Sequence, residues 1–485
     1  MKKQKIYLLC VACLCLCLCS CHDWLDVKPK QYTEEEDLFS REVGFKEALT
    51  GAYQMAAKSN LYGSTLTFDY MDKLAQRYRY VSNTGEIPFQ NPNYYDFKTE
   101  ESEKRINPIW NSTYHIIANI NNLLYWIDKN KSALGTPHYY EIIKGEALAL
   151  RSYLYFDLFR MFGPVYKNNP TAKSIVYRTE LNRDAKELEK ADDMINYIIS
   201  DLIQAKELLE NADPLNFAYI SKNGASVDED PFLIFRFKRM NYLAVKALLA
   251  RVYLYKGDLA NAGMYALQVV ESGKFSLTRN NTSDRILSSE IIFGLHIYRL
   301  QEDVTNKLTK DSQWVINDRD NFFKILFNVD YDGENDFRMK PFVGFEETTQ
   351  GAGTRVYIMK KFDQIGLEYS MAGTMPMIRL SEMYYILSEC SATLGQSTQW
   401  INMVRNARGI AAIPTFPDND TKMQSIGIEY RKEFYGEGQL WYYYKRIGAD
   451  VNQFFNMRNI MPEISDRHYI FNVPDDEYQF GGITK

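Results

Sequence analysis

Five histidines, His22, His115, His138, His296 and His468, are scattered through 485 residues. None belongs to a His-Glu-x-x-His pair, which would set two zinc ligands on one helix face. The chain has no Gly-x-Ser-x-Gly elbow, no nucleotide-binding glycine loop and no Cys-x-x-Cys pair beyond its first 20 residues. Carboxylates are plentiful, and a glycosidase would need two of them facing one sugar. Helix starts and solvated faces account for most of them. The stretch NVDYDGENDFR spaces Asp330, Asp332, Glu334 and Asp336 somewhat like a calcium loop. It lacks the glutamate that closes such a loop, and Gly333 comes too early, so it reads as an acidic turn. No cofactor or metal is expected.

One stretch offers binding chemistry instead. FQNPNYYDF groups Phe89, Tyr94, Tyr95 and Phe97 with Asn91 and Asn93. Aromatic rings present flat apolar faces that match the C–H face of a sugar, and they stack equally on a peptide. Nearby amides, with Arg77 or Arg79, could bond hydroxyls. Trp314, in KDSQWVINDRDNFF, has the same potential. The competing reading is that these rings plug their loops onto the helices beneath. The candidate ligand contacts are therefore Arg77, Asn91, Tyr94, Tyr95 and Trp314.

The start of the chain carries a different chemistry. Lys2, Lys3 and Lys5 precede 14 apolar residues, Ile6 to Cys19. That run is shorter than the roughly 20 residues needed to cross a bilayer as a helix. A basic head and a short apolar run mark a secretory leader. Leu18-Cys19-Ser20-Cys21 resembles the bacterial lipobox, in which the cysteine sulfur receives a diacylglyceryl group after cleavage. Residues 1–20 then form a lipoprotein signal peptide, and Cys21 carries the acyl chains. Two or more chains anchor stably, since each buried CH₂ contributes roughly 0.8 kcal/mol. The leader cysteines behave as small hydrophobes. Cys390 is the remaining cysteine and reads as a buried free thiol in an apolar helix.

Removing residues 1–20 takes away three lysines and moves the formal net charge from −5 to −8. Nucleic acid and anionic lipid surfaces both call for positive charge, so a nucleic-acid partner is not expected. The remaining chain is ample for a large core.

Helical periodicity dominates the sequence. Steps of three and four place Trp110, Tyr114, Ile117, Ile120 and Leu124 on one face, and Leu150, Leu154, Leu158 and Met161 on another. Ile195, Ile198, Leu202, Ala205 and Leu209 form a third stripe. Between Asn241 and Phe275, Leu249-Ala250, Tyr253, Gly257 and Ala262 fall at tetratricopeptide-repeat spacings. Small residues let two antiparallel helices approach, Gly257 turns the chain, and Tyr253 packs across the pair. Two relaxed copies are read around Leu150 and at RLSEMYYILSECSATLGQSTQWINMVRNARG, the latter with its turn at Gly395. The expected fold is mostly α, a tetratricopeptide-like hairpin scaffold with a few short strands. Two long irregular segments, Tyr62–Arg105 and about His296–Tyr369, interrupt it, and long loops in compact proteins are usually functional.

Several stretches together resemble the RagB/SusD family of Bacteroidetes outer-membrane lipoproteins. CHDWLDVKP is similar to the family's mature start. EALALRSYLYFDLFRMFGPV resembles its N-terminal signature helix. MIRLSEMYYILSEC matches an Arg-Leu-x-Glu-x-Tyr-x-x-x-x-Glu pattern at Arg379, Leu380, Glu382, Tyr384 and Glu389. INMVRNARGI carries Arg405 and Arg408, and IGIEYRKEFYGEGQLWYYYKRIG carries Glu429, Arg431, Glu433, Glu437, Gly438, Arg446 and Gly448. Two residues depart from the pattern: Tyr430 stands where arginine is common, and Tyr443 where aspartate is. The charged motifs read as structural pairs that tie hairpins together.

The resemblance implies residues 21–230 as an N-terminal SusD-like region and 231–485 as a C-terminal region, packed as one unit. It implies a cell-surface lipoprotein, anchored in the outer membrane and facing outward. Such a protein captures an oligosaccharide and delivers it to a SusC-like TonB-dependent transporter. It implies no enzyme activity. The alternative is the same architecture binding peptides or glycopeptides, and a lipid-anchored glycoside hydrolase is the weaker third reading.

Overall fold

The computed structural model describes residues 35–78, 95–182, 184–214, 230, 232–279, 284–310, 312, 315–317, 322–327, 333–351, 353–364, 371–454 and 460–483. Cys21 and the leader lie outside these residues, as do Asp330 and Asp332 of the acidic turn.

The N-terminal half is a stack of antiparallel helices. A short α1 (Glu35–Leu38) leads into α2 (Glu42–Ala56) and, after an irregular stretch, α3 (Tyr70–Leu74). The long α4 (Glu100–Lys129) begins eight residues before Pro108, where the periodicity starts to be clear. The Thr99 hydroxyl accepts the Ser102 amide at 3.3 Å, and Glu100, Glu101 and Glu103 face the positive end of the helix. These signals outweigh the single backbone bond that Pro108 removes. The next helices are α5 (Tyr139–Phe162), stopped at Gly163-Pro164, and α6 (Ala191–Leu209). Their stripes of Leu150, Leu154, Leu158 and Met161, and of Ile195, Ile198, Leu202, Ala205 and Leu209, are all buried.

The repeat spacing is realised in α7 (Tyr242–Lys256) and α8 (Leu259–Glu271). Gly257 turns the chain at φ +88°, a conformation that a Cβ disfavours. Asp258 then caps α8 through the Asn261 amide at 3.1 Å. Tyr253 lies parallel to Tyr265 across the hairpin, with ring centroids 5.8 Å apart.

The second irregular segment carries most of the strand structure. It runs from β1 (Ile291–His296) through α9 (Leu300–Lys307), β2 (Val315–Asn317), α10 (Phe322–Phe327), β3 (Phe345–Gln350) and β4 (Thr354–Met359) to β5 (Thr374–Arg379). β1 pairs antiparallel with β5, with Gly294 opposite Pro376. β2, β4 and β3 form a three-stranded antiparallel sheet in that order.

Helices resume at α11 (Leu380–Cys390), α12 (Leu394–Ala407), α13 (Asn419–Glu433), α14 (Gln439–Ile447) and α15 (Asp475–Gln479). Here the expected turn at Gly395 is displaced. Gly395 sits in the first turn of α12, and Ser391–Thr393 make the connection. The reason is the Thr393 hydroxyl, which caps α12 by accepting the Gln396 amide at 3.2 Å. Helices α5 to α8 neighbour one another in sequence order, and α8 packs on α11, which continues the stack into α12 and α13. The fold is the mostly helical, tetratricopeptide-like scaffold that the sequence implies. One hydrophobic core runs from Phe39 to Ile483 and joins both halves of the chain.

The charged motifs are paired inside this core. Glu433 accepts from Arg379 Nη1 at 2.5 Å, Arg338 Nη1 at 2.7 Å and Arg408 Nη2 at 2.7 Å. Arg408 also grips Glu290 through two bonds of 2.7 and 2.8 Å. Glu429 takes Arg405 at 2.8 Å and Arg338 at 3.0 Å. Burial opposes ionisation of Glu429, but Lys432, Arg338 and Arg405 outweigh it and hold the carboxyl down at about 2. Asp336, one of the acidic-turn residues, is likewise spent on Arg338, at 2.6 and 2.9 Å.

A Glu433→Ala substitution takes one carboxylate partner from each of three buried guanidinium groups. Loss of one partner of such a network costs about 3–5 kcal/mol. Urea denaturation is expected to show a loss of that size, while Glu100→Ala, at an exposed pair, is expected to shift the midpoint far less.

Candidate ligand-binding face

The two irregular segments meet. Lys307 of α9 donates to Ser64 at 2.5 Å, and Ser59, just before the first segment, donates to Asp303 at 3.0 Å. Phe68 packs on Phe362 with centroids 6.0 Å apart. Tyr435 is the common post: Tyr78 meets it edge-on at 5.8 Å, and Phe345 of β3 meets it edge-on at 4.8 Å. The base of the first segment and the sheet of the second are therefore clamped on one side of the helical stack.

Arg77 and Tyr95 belong to the wall behind this face. The Arg77 guanidinium lies 4.0 Å above the Tyr435 ring and donates to the Arg431 carbonyl, while Tyr435 Oη donates to the Arg77 carbonyl at 2.5 Å. Tyr95 is 2 % exposed. Its hydroxyl accepts from Gln76 at 2.7 Å and donates to the Leu74 carbonyl at 2.8 Å, and its ring leans on Trp441. Both side chains have their hydrogen bonds turned inward, away from solvent. Asn91, Tyr94 and Trp314 lie outside the described residues.

Exposed aromatic surface is supplied by a residue the sequence reading passed over. Tyr298, between β1 and α9, is 92 % exposed. No sequence signal separates it from the 36 tyrosines of the chain, beyond its place at the start of the second irregular segment. Exposed His296 lies two residues before it, with its ring held below the usual pKa by partial desolvation and by Lys238. Burial alone pushes the Lys238 ammonium down to about 8.

A recess of about 560 Å³ opens at the far end of the first segment. Asp96, Lys98, Glu463, Arg467, His468 and Asn472 contribute polar groups to it. His468 Nδ1 accepts the Ser465 amide at 2.9 Å, so the neutral ring carries its proton on Nε2.

Asp72 holds the base of the first segment to the 436–438 turn. Its carboxylate accepts the amides of Gly436 at 2.6 Å and Gly438 at 3.1 Å. The turn is possible because Gly438 has φ +67° and approaches the Leu66 carbonyl too closely for any Cβ. Burial pushes the Asp72 carboxyl up to about 7, against Arg77 and the two glycine amides, which favour the charged form.

Comparison with known proteins accords with this architecture. Residues 23–220 match a SusD-like family described as starch-binding and associating with the outer membrane, and residues 312–476 match the SusD family. The SusD-like protein P38 of Formosa agariphila is 23% identical, over 86% of each chain. A SusD-like carbohydrate-binding protein of Bacteroides vulgatus superposes with a TM-score of 0.70 at 19% identity, covering 92% of this chain and 97% of that one. A SusD superfamily protein of Bacteroides thetaiotaomicron also gives 0.70, at 21% identity over 92% and 99%.

The chain thus belongs to the SusD/RagB family, whose members are carbohydrate-binding, outer-membrane-associated proteins rather than enzymes. Among the described residues no helix is long and apolar enough to cross a membrane.

The Asp72 clamp makes a pH prediction. Its folded carboxyl keeps a proton between about pH 4 and 7, where the unfolded one has lost it, so the folded state binds the extra proton. Stability therefore falls as pH rises through that window and levels off above it. Asp72→Asn does not titrate there. The difference in urea midpoint between parent and variant is expected to change between pH 4 and 7 and to stay constant above pH 7.

Proposed function

We propose that this chain is a cell-surface lipoprotein, acylated at Cys21, that captures oligosaccharide and passes it to a SusC-like TonB-dependent β-barrel transporter of the outer membrane. The observation that carries the reading is the convergence of the two irregular segments, together with an exposed ring, Tyr298, in the second of them. Its ring offers a platform for the C–H face of a sugar. Asn91, Tyr94 and Trp314 are the proposed further contacts from the same two segments. Arg77 and Tyr95 support that surface from behind. The protein is a binder, with no catalytic group assigned.

A second reading, peptide or glycopeptide capture, draws on a different observation. The recess beside Tyr95 mixes Lys98 and Arg467 with Asp96 and Glu463. Charges of both signs suit a zwitterionic chain better than a neutral sugar.

Calorimetric titration of the protein from His22 onward, against a panel of polysaccharides and peptide digests, separates the two. Sugar binding is expected, with Tyr298→Ala weakening it about tenfold, the effect of losing roughly 1–1.5 kcal/mol of ring contact. Tyr94→Ala is expected to act in the same direction. Binding of peptides alone, reduced by Arg467→Ala and untouched by Tyr298→Ala, would replace the first reading with the second.

A further inference from the structure

A short 3₁₀ turn, Arg236–Lys238, ends on an amine that has no carboxylate beside it. Lys238 is half-buried between two rings, with Nζ 5.4 Å from the Phe235 centroid and 5.6 Å from that of Phe237. Its hydrogen bond is long, 3.5 Å to the Ala372 carbonyl. Other lysines withdrawn from water are held differently. Lys73 pairs with Asp69 at 2.8 Å, Lys361 with Glu437, and Lys432 with Glu429 at 3.5 Å. Lys445 is fully buried and donates to the Gly163 carbonyl at 2.6 Å. Lys238 differs from all four: it lacks a carboxylate, and it keeps part of its surface in water.

An imidazole stands beside it. His296 ends β1 and is exposed. Its pairing opposite Thr374 of β5 brings the ring against the backbone before that strand. A Cβ at Gly373 would lie 2.8 Å from His296 Cε1. The Ala372 carbonyl that receives Lys238 also acts on the His296 ring, against burial and the Lys238 charge, which keep the ring neutral at pH 7. Amine and imidazole are thus gathered at one carbonyl. The other charged group near the turn, Arg239, is turned toward Glu146, 3.4 Å away.

Desolvation is an ordinary way of making a lysine nucleophilic. With the ammonium pushed down to about 8, about a fifth of Lys238 is neutral at pH 7.4, against roughly a thousandth of an exposed lysine. We infer that Lys238 is a covalent attachment site for sugar aldehydes, the open-chain form of a reducing sugar, with His296 carrying the protons. The nitrogen lone pair bonds to the aldehyde carbon, and the carbonyl π pair moves to oxygen, which takes a proton. The nitrogen then gives up both its hydrogens, the oxygen leaves as water, and a C=N imine closes. Nothing is oxidised or reduced. Neutral imidazole takes a proton from nitrogen and returns it to the departing oxygen. The glycan-capture reading supplies only the source of the aldehyde; the reactivity of the amine stands apart from it.

Incubating the unaltered protein with glyceraldehyde and cyanoborohydride at about pH 7.4 traps each imine as a stable amine, and peptide mapping by mass spectrometry follows it residue by residue. Lys238 is expected to be alkylated about tenfold faster than the exposed Lys104 and Lys173, with a rate that reaches half its maximum near pH 8. His296→Gln is expected to slow Lys238 about threefold and to leave Lys104 unchanged. Alkylation of Lys238 no faster than Lys104 would overturn the proposal, and an unchanged rate in His296→Gln would remove the imidazole from the step. Glyceraldehyde needs no aromatic platform, so failure here is distinct from failure of glycan binding in the calorimeter. The mapping of the unaltered protein decides the matter even if the variant folds poorly.

Discussion

A carboxylate taken out of water must be paired, and Glu433 is where this structure meets that demand most fully. Arg338, Arg379 and Arg408 converge on it from three separate parts of the chain. Arg408 reaches on to Glu290, at the entry to β1, and Arg379 reaches on to Glu437 at 2.9 Å. The position of α13 thereby sets β5, the 3₁₀ turn at Phe337–Met339, and the loop before α14. From Glu437 the chain of constraint continues through Gly436 and Gly438 to Asp72, and so to the base of the first irregular segment. The clamped face of the two irregular segments inherits its shape from an ionic web buried beneath it.

Such a web is poor evidence for stability in itself. Desolvating this many charges offsets much of their attraction, and an apolar core of the same volume can be as stable. What it adds is geometry. A guanidinium has a fixed fork of donors, so each pair fixes an angle as well as a distance. The two departures from the family pattern obey the same logic. Tyr430 and Tyr443 stack on each other, centroids 4.5 Å apart. Arg446, deprived of an aspartate at 443, turns to Glu389 in a bidentate pair of 2.7 Å bonds.

The helical stack was legible because each helix buries one stripe, and a stripe has a period. The Gly257 hairpin was legible because its turn, its small residues and Tyr253 are local. Gly395 misled, since a glycine near a helix start looks like a turn until the capping threonine beside it is weighed. A few short strands were expected but not placed, because β3, with Glu346 and Glu347 exposed, carries little apolar alternation to betray it. Arg77 and Tyr95 show a deeper limit. Their residue types suit a ligand, and the same types suit a buried post. The choice depends on Gln76, Leu74, Trp441 and Tyr435, and of these Tyr435 and Trp441 are more than 300 residues away in the chain. Tyr298 failed in the opposite direction, being one tyrosine among many with nothing local to mark it.

The separation of wall from face has a physical consequence for recognition. A binding surface gains affinity when its groups are ordered before the ligand arrives, because less conformational entropy remains to be lost. Here the ordering is done from behind. Arg77 stacks on Tyr435, Tyr435 holds the Arg77 carbonyl, and Asp72 pins the adjoining turn, so the residues that anchor the first segment are fixed by contacts within the protein. Side chains on the solvent side of those anchors can differ in chemistry without disturbing the pairs beneath them. A fold built this way carries its shape in the buried residues and leaves the outward ones free to vary. That division explains how a chain only 19% identical to a carbohydrate-binding relative superposes on it at a TM-score of 0.70.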